Sequence, residues 1–240
     1  MDRVVRVRRR PRAPAVRPTL RFERLARGAG YASIAGVDEV GRGALCGPVV
    51  AAAVILRSEA PIQGLADSKL LDAARREVLA ARIRDRAVAW AVAAVDAAWI
   101  DRLNIYQASR RAMEEAVRRL NPPPDYVLTD AMKLDVPFGQ RALIDGDARC
   151  RSIAAASIVA KVERDRWMRL WHQVFPDYGW ESNKGYSTPD HLEALNLWGP
   201  SPIHRYTFAP VAAVAPYPVS TPCEPPSEQI ELFSPEETAQ

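Results

Sequence analysis

The chain has 240 residues, 48% of them hydrophobic, and a formal charge of +4. That length suits one sizeable domain with a small appendage, and the apolar share predicts a packed core. The longest apolar runs, 48–56 and 87–95, are too short to span a bilayer, so no membrane association is expected.

Charge is unevenly placed. Residues 1–30 carry ten arginines against Asp2 and Glu23, with Pro11, Pro14 and Pro18 among them. Those prolines cannot sustain a helix through that region. The segment is expected to be a disordered basic extension with sequence-independent affinity for phosphate. It has no apolar stretch of the kind that directs secretion, although its arginine content fits other targeting peptides. Residues 214–240 form a Pro/Glu-rich tail, also expected to be disordered. Cys46, Cys150 and Cys223 lack paired spacing, which points to a reducing compartment, the cytoplasm, and to no thiolate metal site.

Residues 33–37 read as a buried strand that delivers two carboxylates, Asp38 and Glu39, into a Gly41-Arg42-Gly43 turn. Neighbouring strand residues point to opposite faces, so both acids can serve one site only where the strand ends and the chain turns. Carboxylates beside a guanidinium and free backbone N–H groups suit a metal ion with a phosphate. A local Asp38–Arg42 ion pair is the plainer alternative. A dinucleotide-binding loop fits poorly, because 48–56 reads as another strand where that loop requires a helix.

A polar loop, Asp67-Ser68-Lys69, precedes a helix capped by Asp72, with Ala74, Val78, Ala81 and Ile83 as its apolar face. Residues 87–95 read as a third strand. Asn104, with Gln107 three residues on, opens the clearest helix, whose face is Ile105, Ala108, Ala112, Ala116 and Leu120. Residues 121–124 end it. Strands at 126–129 and 141–144 then finish in Asp130 and in Asp145-Gly146-Asp147. Three strands thus deliver acids at their carboxyl ends, where open α/β sheets place ligands.

A long helix over 152–172 aligns Ser157, Lys161 and Asp165 on one face; a solvated Lys161–Asp165 pair is the bland alternative. Trp167 and Trp171 are expected in the core. A loop bearing Lys184 and Tyr186 follows, then a helix from Thr188 to Leu195. His172, His191 and His204 show no ligand spacing, so zinc is not expected.

With these residues assembled, the chain resembles the bacterial ribonuclease HII family over about 31–210. The resemblance rests on residues 36–43, Asp67-Ser68-Lys69, 126–130, Gly146-Asp147, 155–161, Lys184-Gly185-Tyr186 and Pro202-Ile203-His204-Arg205. It implies an α/β, ribonuclease H-like mixed sheet flanked by helices, with a small helical C-terminal part, as a catalytic domain over 31–213. It also implies a four-carboxylate centre at Asp38, Glu39, Asp130 and Asp147; spacing alone does not separate Asp147 from Asp145. Gly41, Arg42, Gly43 and Tyr186 match the family's readers of a ribonucleotide 2′-hydroxyl. Ser68, Lys69, Ser157, Lys161 and Lys184 fall in motifs near the substrate backbone or metals.

The implied chemistry is two Mg²⁺ or Mn²⁺ ions, about 4 Å apart, promoting in-line hydrolysis to a 3′-hydroxyl and a 5′-phosphate. An all-oxygen ligand set independently favours those hard ions. The implied substrates are RNA–DNA hybrids and duplex DNA containing ribonucleotides, cut by a monomer. Two departures stand out: Ala131 where the family usually has Gly, and Asp145 where it usually has Lys. A resolvase of the same fold and a non-catalytic hybrid binder are the rivals, disfavoured respectively by the Arg42 turn with Tyr186 and by four clustered acids. In the tail, Gln229-Ile230-Glu231-Leu232-Phe233 is similar to the pentapeptide that docks bacterial repair proteins on the DNA sliding clamp. Gln229, Leu232 and Phe233 would make the contacts, and a chance match in a solvated tail is the alternative.

Overall fold

The structure, a computed structural model, describes residues 17–57 and 62–215. In chain order the elements are α1 (Arg21–Gly28), β1 (Ile34–Val40), β2 (Val49–Ile55), α2 (Ala73–Arg86), β3 (Ala89–Val95), α3 (Ala97–Leu103) and α4 (Ile105–Arg118). There follow β4 (Tyr126–Asp130), β5 (Gly139–Leu143), α5 (Gly146–Arg149), α6 (Arg151–Val174), α7 (Trp180–Asn183), α8 (Pro189–Trp198) and α9 (Ala209–Ala212).

The strands form one sheet in the order β3-β2-β1-β4-β5. Antiparallel pairs join β1 to β2 and β2 to β3; β4 and β5 add in parallel to β1. The expected mixed sheet is therefore present. Alternation along β2 sends Val49, Ala51 and Ala53 to one face, under Ala108, Ala112, Met113 and Ala116 of α4. Val50, Ala52 and Val54 face the other way, under Ala155, Ile158 and Val159 of α6 and Leu79 and Ile83 of α2. Small side chains on both partners let α6 lie close to the sheet: a Cβ added to Gly36 of β1 would sit 2.1 Å from the Ser152 carbonyl carbon.

Caps sit where the sequence places them. Asp72 accepts from the Arg75 N–H, Asn104 from Gln107 and Thr188 from His191. Several expectations need correction. The expected basic extension runs to residue 30, but 17–30 belong to the fold. Phe22 and Ala26 are buried, and the Glu23 carboxylate accepts from the Ser152 N–H (2.9 Å) and hydroxyl (3.0 Å) at the start of α6. An amphipathic turn and a capping acid outweigh the local arginine content. Residues 1–16 and 216–240, the latter holding Gln229, Leu232 and Phe233, lie outside the described residues.

On α2 the buried face is Leu79, Ala80 and Ile83, while Val78 is 51% exposed. Trp171 packs against Phe175 at the surface end of α6 rather than in the core. Among the described residues, no helix is long and apolar enough to cross a membrane.

Candidate active site

The parallel ladder between β1 and β4 ends at the Val37–Thr129 pair, whereas β1 continues beside β2 as far as Val40–Val50. Asp38 and Asp130 stand one residue beyond the last parallel pair. The strand therefore does not end at residue 37 as expected. What lets Asp38 and Glu39 share a site is this break in the ladder, not a turn. Asp147 arrives from α5, two residues past the exposed, left-handed Asp145 (φ 53°, ψ 43°).

Asp38 is 5% exposed and Asp147 6% exposed, so the acids are crowded away from solvent. Burial, then repulsion from Glu39 and Asp130, holds the Asp38 carboxyl well above the usual carboxylate range. Burial likewise raises Glu39, against the opposing pull of the Arg42 guanidinium 3.3 Å away. Burial raises Asp130 too, although Oδ1 accepts the Gly146 N–H at 2.7 Å. The Glu39 Oε2 atom is buried with no hydrogen-bond partner among the described residues. A cluster of destabilised carboxylates with a spare, desolvated oxygen is the donor set a hard divalent cation requires. These residues fit such an ion.

Each acid has a support. Asp38 accepts from the Glu39 N–H (2.8 Å) and bonds the Ser157 hydroxyl. Ser157 in turn bonds Ser68 Oγ at 2.9 Å. Both serines, expected near the substrate backbone or the metal site, are buried on the side of the acids, Ser157 bonding Asp38 and Ser68 supporting Ser157. Lys69 Nζ lies 3.5 Å from Asp147 Oδ2. Burial opposes its charge, yet Asp147, Asp67 and Asp38 together hold the Lys69 pKa above its ordinary value. Lys161 does pair with Asp165, but the pair is largely desolvated and joined by Arg76 at 3.6 Å, so it is not a solvated surface pair.

The two expected recognition segments meet beside the acids. The Leu45 N–H donates to the Gly185 carbonyl at 2.8 Å, and a Cβ on Gly185 would strike Cys46 Sγ at 2.7 Å. The Tyr186 ring is half-buried, with Lys161 Nζ 5.8 Å and the Arg164 guanidinium 5.3 Å from its centroid. The N–H groups of Arg42 and Gly43 donate to nothing among the described residues. Lys184 Nζ turns back to the Glu181 carbonyl, and burial lowers its pKa.

Sequence spacing missed one convergence. Cys46, His191 and His204 bring potential ligand atoms within 4.8 Å of one another, all buried. Hydrogen bonds occupy the two imidazoles. A carbonyl only accepts, so His191 Nδ1 donates to Tyr186 O (2.9 Å), and its Nε2 accepts from Trp180 Nε1 (3.1 Å). The Ser201 N–H donates to His204 Nδ1 (2.9 Å), which leaves His204 Nε2–H to share, with Trp180, the single lone pair of His191 Nε2 at 3.2 Å. Burial pushes His204 down to about 3 and Cys46 up to about 12, so imidazole and thiol stay neutral. The imidazole pair is a hydrogen-bonded prop under the Tyr186 carbonyl. Also missed were Arg164 and Arg205, fully buried guanidiniums whose only signal was an arginine at an apolar helix position and one inside the 202–205 segment.

A mixed sheet of this order, with acids gathered where β1 parts from β4, defines a ribonuclease H-like nuclease, a class of phosphodiester hydrolases. The family description "Ribonuclease HII" matches residues 35–211. Curated relatives named ribonuclease HII include that of Solibacter usitatus, 58% identical over 88% of this chain and 91% of its own. The Bacillus subtilis protein is 52% identical over 79% and 74%. Among solved structures, ribonuclease H2 of Pyrococcus horikoshii aligns with a TM-score of 0.66 and 26% identity, over 76% of this chain and 97% of its own. The ribonuclease HII of Archaeoglobus fulgidus, solved in complex with PCNA, aligns at 0.64 and 27%, over 78% and 98%. The chain belongs to the ribonuclease HII family, and is an endoribonuclease of RNA–DNA hybrids.

Proposed function

We propose that the protein, acting as a monomer, also cuts duplex DNA on the 5′ side of embedded ribonucleotides, leaving a 3′-hydroxyl and a 5′-phosphate. The observation that carries this reading is the junction of two different surfaces. Four crowded carboxylates lie against a pair of loops that offer free N–H groups and one half-buried tyrosine.

Asp38, Glu39, Asp130 and Asp147 would hold two divalent ions, Mg²⁺ or Mn²⁺. Such ions, when bound, lower the pKa of water and neutralise charge at the leaving oxygen. The rest belongs to the chain. Ser157 and the Glu39 N–H fix the Asp38 carboxylate, and Gly146 fixes Asp130. Lys69 neutralises Asp147 until a cation competes for it. The Arg42 and Gly43 N–H groups can meet a 2′-hydroxyl, which is the group that separates RNA from DNA. Tyr186 packs on that ribose, its plane held by Lys161 and Arg164. Lys184 meets a phosphate, a contact that positions the duplex without reading it.

The tail is proposed to tether the enzyme to the sliding clamp through Gln229, Leu232 and Phe233. The Archaeoglobus relative's complex with PCNA supports a clamp as the partner class. Tethering raises the local enzyme concentration on DNA without any new contact at the site. The substrate reading is tested by comparing cleavage of a duplex with one ribonucleotide against the same all-DNA duplex. Cutting at one phosphodiester, 5′ of the ribonucleotide, is expected; equal cutting of both would end it.

A further inference from the structure

Arg164 and Arg205 are both 0% exposed, and among the described residues no carboxylate lies within ion-pair distance of either. A buried, unpaired charge is costly unless its donors are met, and a space that needed only filling would be better served by apolar side chains. Their partners are instead backbone carbonyls, drawn from two loops far apart in sequence. Arg205 donates from Nη2 to Gly41 O (2.7 Å), from Nη1 to Arg42 O (2.9 Å), and from Nε and Nη2 to Gly47 O (3.0 and 2.9 Å). Arg164 donates from Nε to Pro48 O (3.1 Å), from Nη2 to Cys46 O (3.2 Å) and from Nη1 to Lys184 O (2.9 Å).

The packing is as specific as the bonding. Gly41 has φ +93°, and a Cβ there would sit 2.2 Å from Arg164 Nε, so the turn rests directly on that guanidinium. The Arg164 guanidinium also lies 5.3 Å from the centroid of the Tyr186 ring. Burial lowers both guanidinium pKa values, Arg205 to about 9 with Arg164's charge adding to the effect, so Arg205 stays cationic at neutral pH.

We propose that Arg164 and Arg205 are positioning residues that lock segments 41–48 and 184–186 into one rigid unit for reading the ribonucleotide. Arg205 sets the spacing of the Gly41 and Arg42 carbonyls, and so the direction of the N–H groups that follow them. Arg164 ties that turn to Lys184 and steadies Tyr186. The inference rests on the 2′-hydroxyl reading above, and it assigns these two arginines to substrate selection rather than to the metal centre.

The test uses Arg164→Lys and Arg205→Lys in the full-length enzyme. Lysine keeps the charge but loses the planar fork, so most of the carbonyl contacts go. Hydrogen exchange should quicken at the amides of 41–48 and 184–186 together in either variant, while β1 to β5 keep their protection. KM for a single-ribonucleotide duplex should rise about tenfold, because a loosened reading unit must be ordered again on each binding event. The metal concentration for half-maximal rate should stay at the wild-type value.

Unchanged exchange in both variants overturns the proposal, as does loosened exchange with an unchanged KM. A shift in metal half-saturation equal to the loss of rate also overturns it, since the arginines would then serve the carboxylates. Should one variant fail to fold, the other makes the same prediction from independent bonds. Failure of the underlying reading looks different: wild-type enzyme would cut a 2′-O-methyl ribonucleotide as fast as the ribonucleotide itself.

Discussion

Gly36→Ala is the substitution that best joins packing to chemistry. Its new Cβ would lie 2.1 Å from the Ser152 carbonyl carbon, 2.3 Å from the Ile153 nitrogen and 2.5 Å from the Ser152 oxygen. Carbon atoms pack at about 3.5–4.0 Å, so β1 and α6 must part by more than about 1 Å. All three atoms are backbone, and no rotamer change relieves them. Overpacking of this kind costs about 1–3 kcal/mol and occasionally more; three backbone collisions place this case at about 3 kcal/mol.

For a domain of this size, that lowers the melting temperature by roughly 6–12 °C. The shift also carries Asp38, two residues on, away from Ser157 on α6. A displacement of about 1 Å at a reacting group costs about 100-fold in rate. Thermal melting and single-turnover cleavage of an RNA–DNA hybrid read the two effects. Gly28→Ala, in α1 with nothing within 4 Å of its Cβ, is the control and should be neutral or slightly stabilising. A Gly36→Ala protein with wild-type melting and rate would refute the close approach of β1 and α6.

Other outcomes follow from the same structure. Asp38, Glu39 and Asp130 bind protons more tightly folded than unfolded, so the metal-free protein should gain stability as pH falls from neutral toward about 4 and lose it as pH rises. Asp38→Asn should therefore raise the metal-free melting temperature and flatten its pH dependence; a fall would contradict the repulsion. Tyr186→Ala should sharply slow cleavage at a single ribonucleotide yet leave binding to plain duplex DNA nearly unchanged, as a filter-binding titration can check. Ala131, held at φ +51°, should relax on Ala131→Gly, raising stability by about 1 kcal/mol in denaturant melts.

How much was legible depended on how local each signal was. Strands β2 and β3 were readable because runs such as 49–55 have no polar interruption. The α4 start was readable because Asn104 and Gln107 lie within one turn. On α2 alanines lie on several faces, so the apolar stripe was drawn through Val78 when Leu79 and Ile83 carry it. Phe22 and Ala26 were hidden among arginines. Asp147 could be chosen over Asp145 only by family likeness, although burial now separates them plainly. The carbonyl bonds of Arg205 span more than 150 residues of sequence, and the imidazole pair depends on α8 meeting the 201–205 segment. No periodicity in the chain encodes contacts of that range.

The assignment of the metal centre is met most directly by isothermal titration of Mn²⁺ alongside cleavage rates for Asp147→Asn and Asp145→Asn. The account predicts that Asp147→Asn loses orders of magnitude in rate and at least one metal site, with the fold intact by circular dichroism. Asp145→Asn should bind and cleave much as the wild type does, because its side chain is exposed to solvent and its charge is the weakest of those acting on Asp130. Equal losses at the two positions, or full activity in Asp147→Asn, would contradict it.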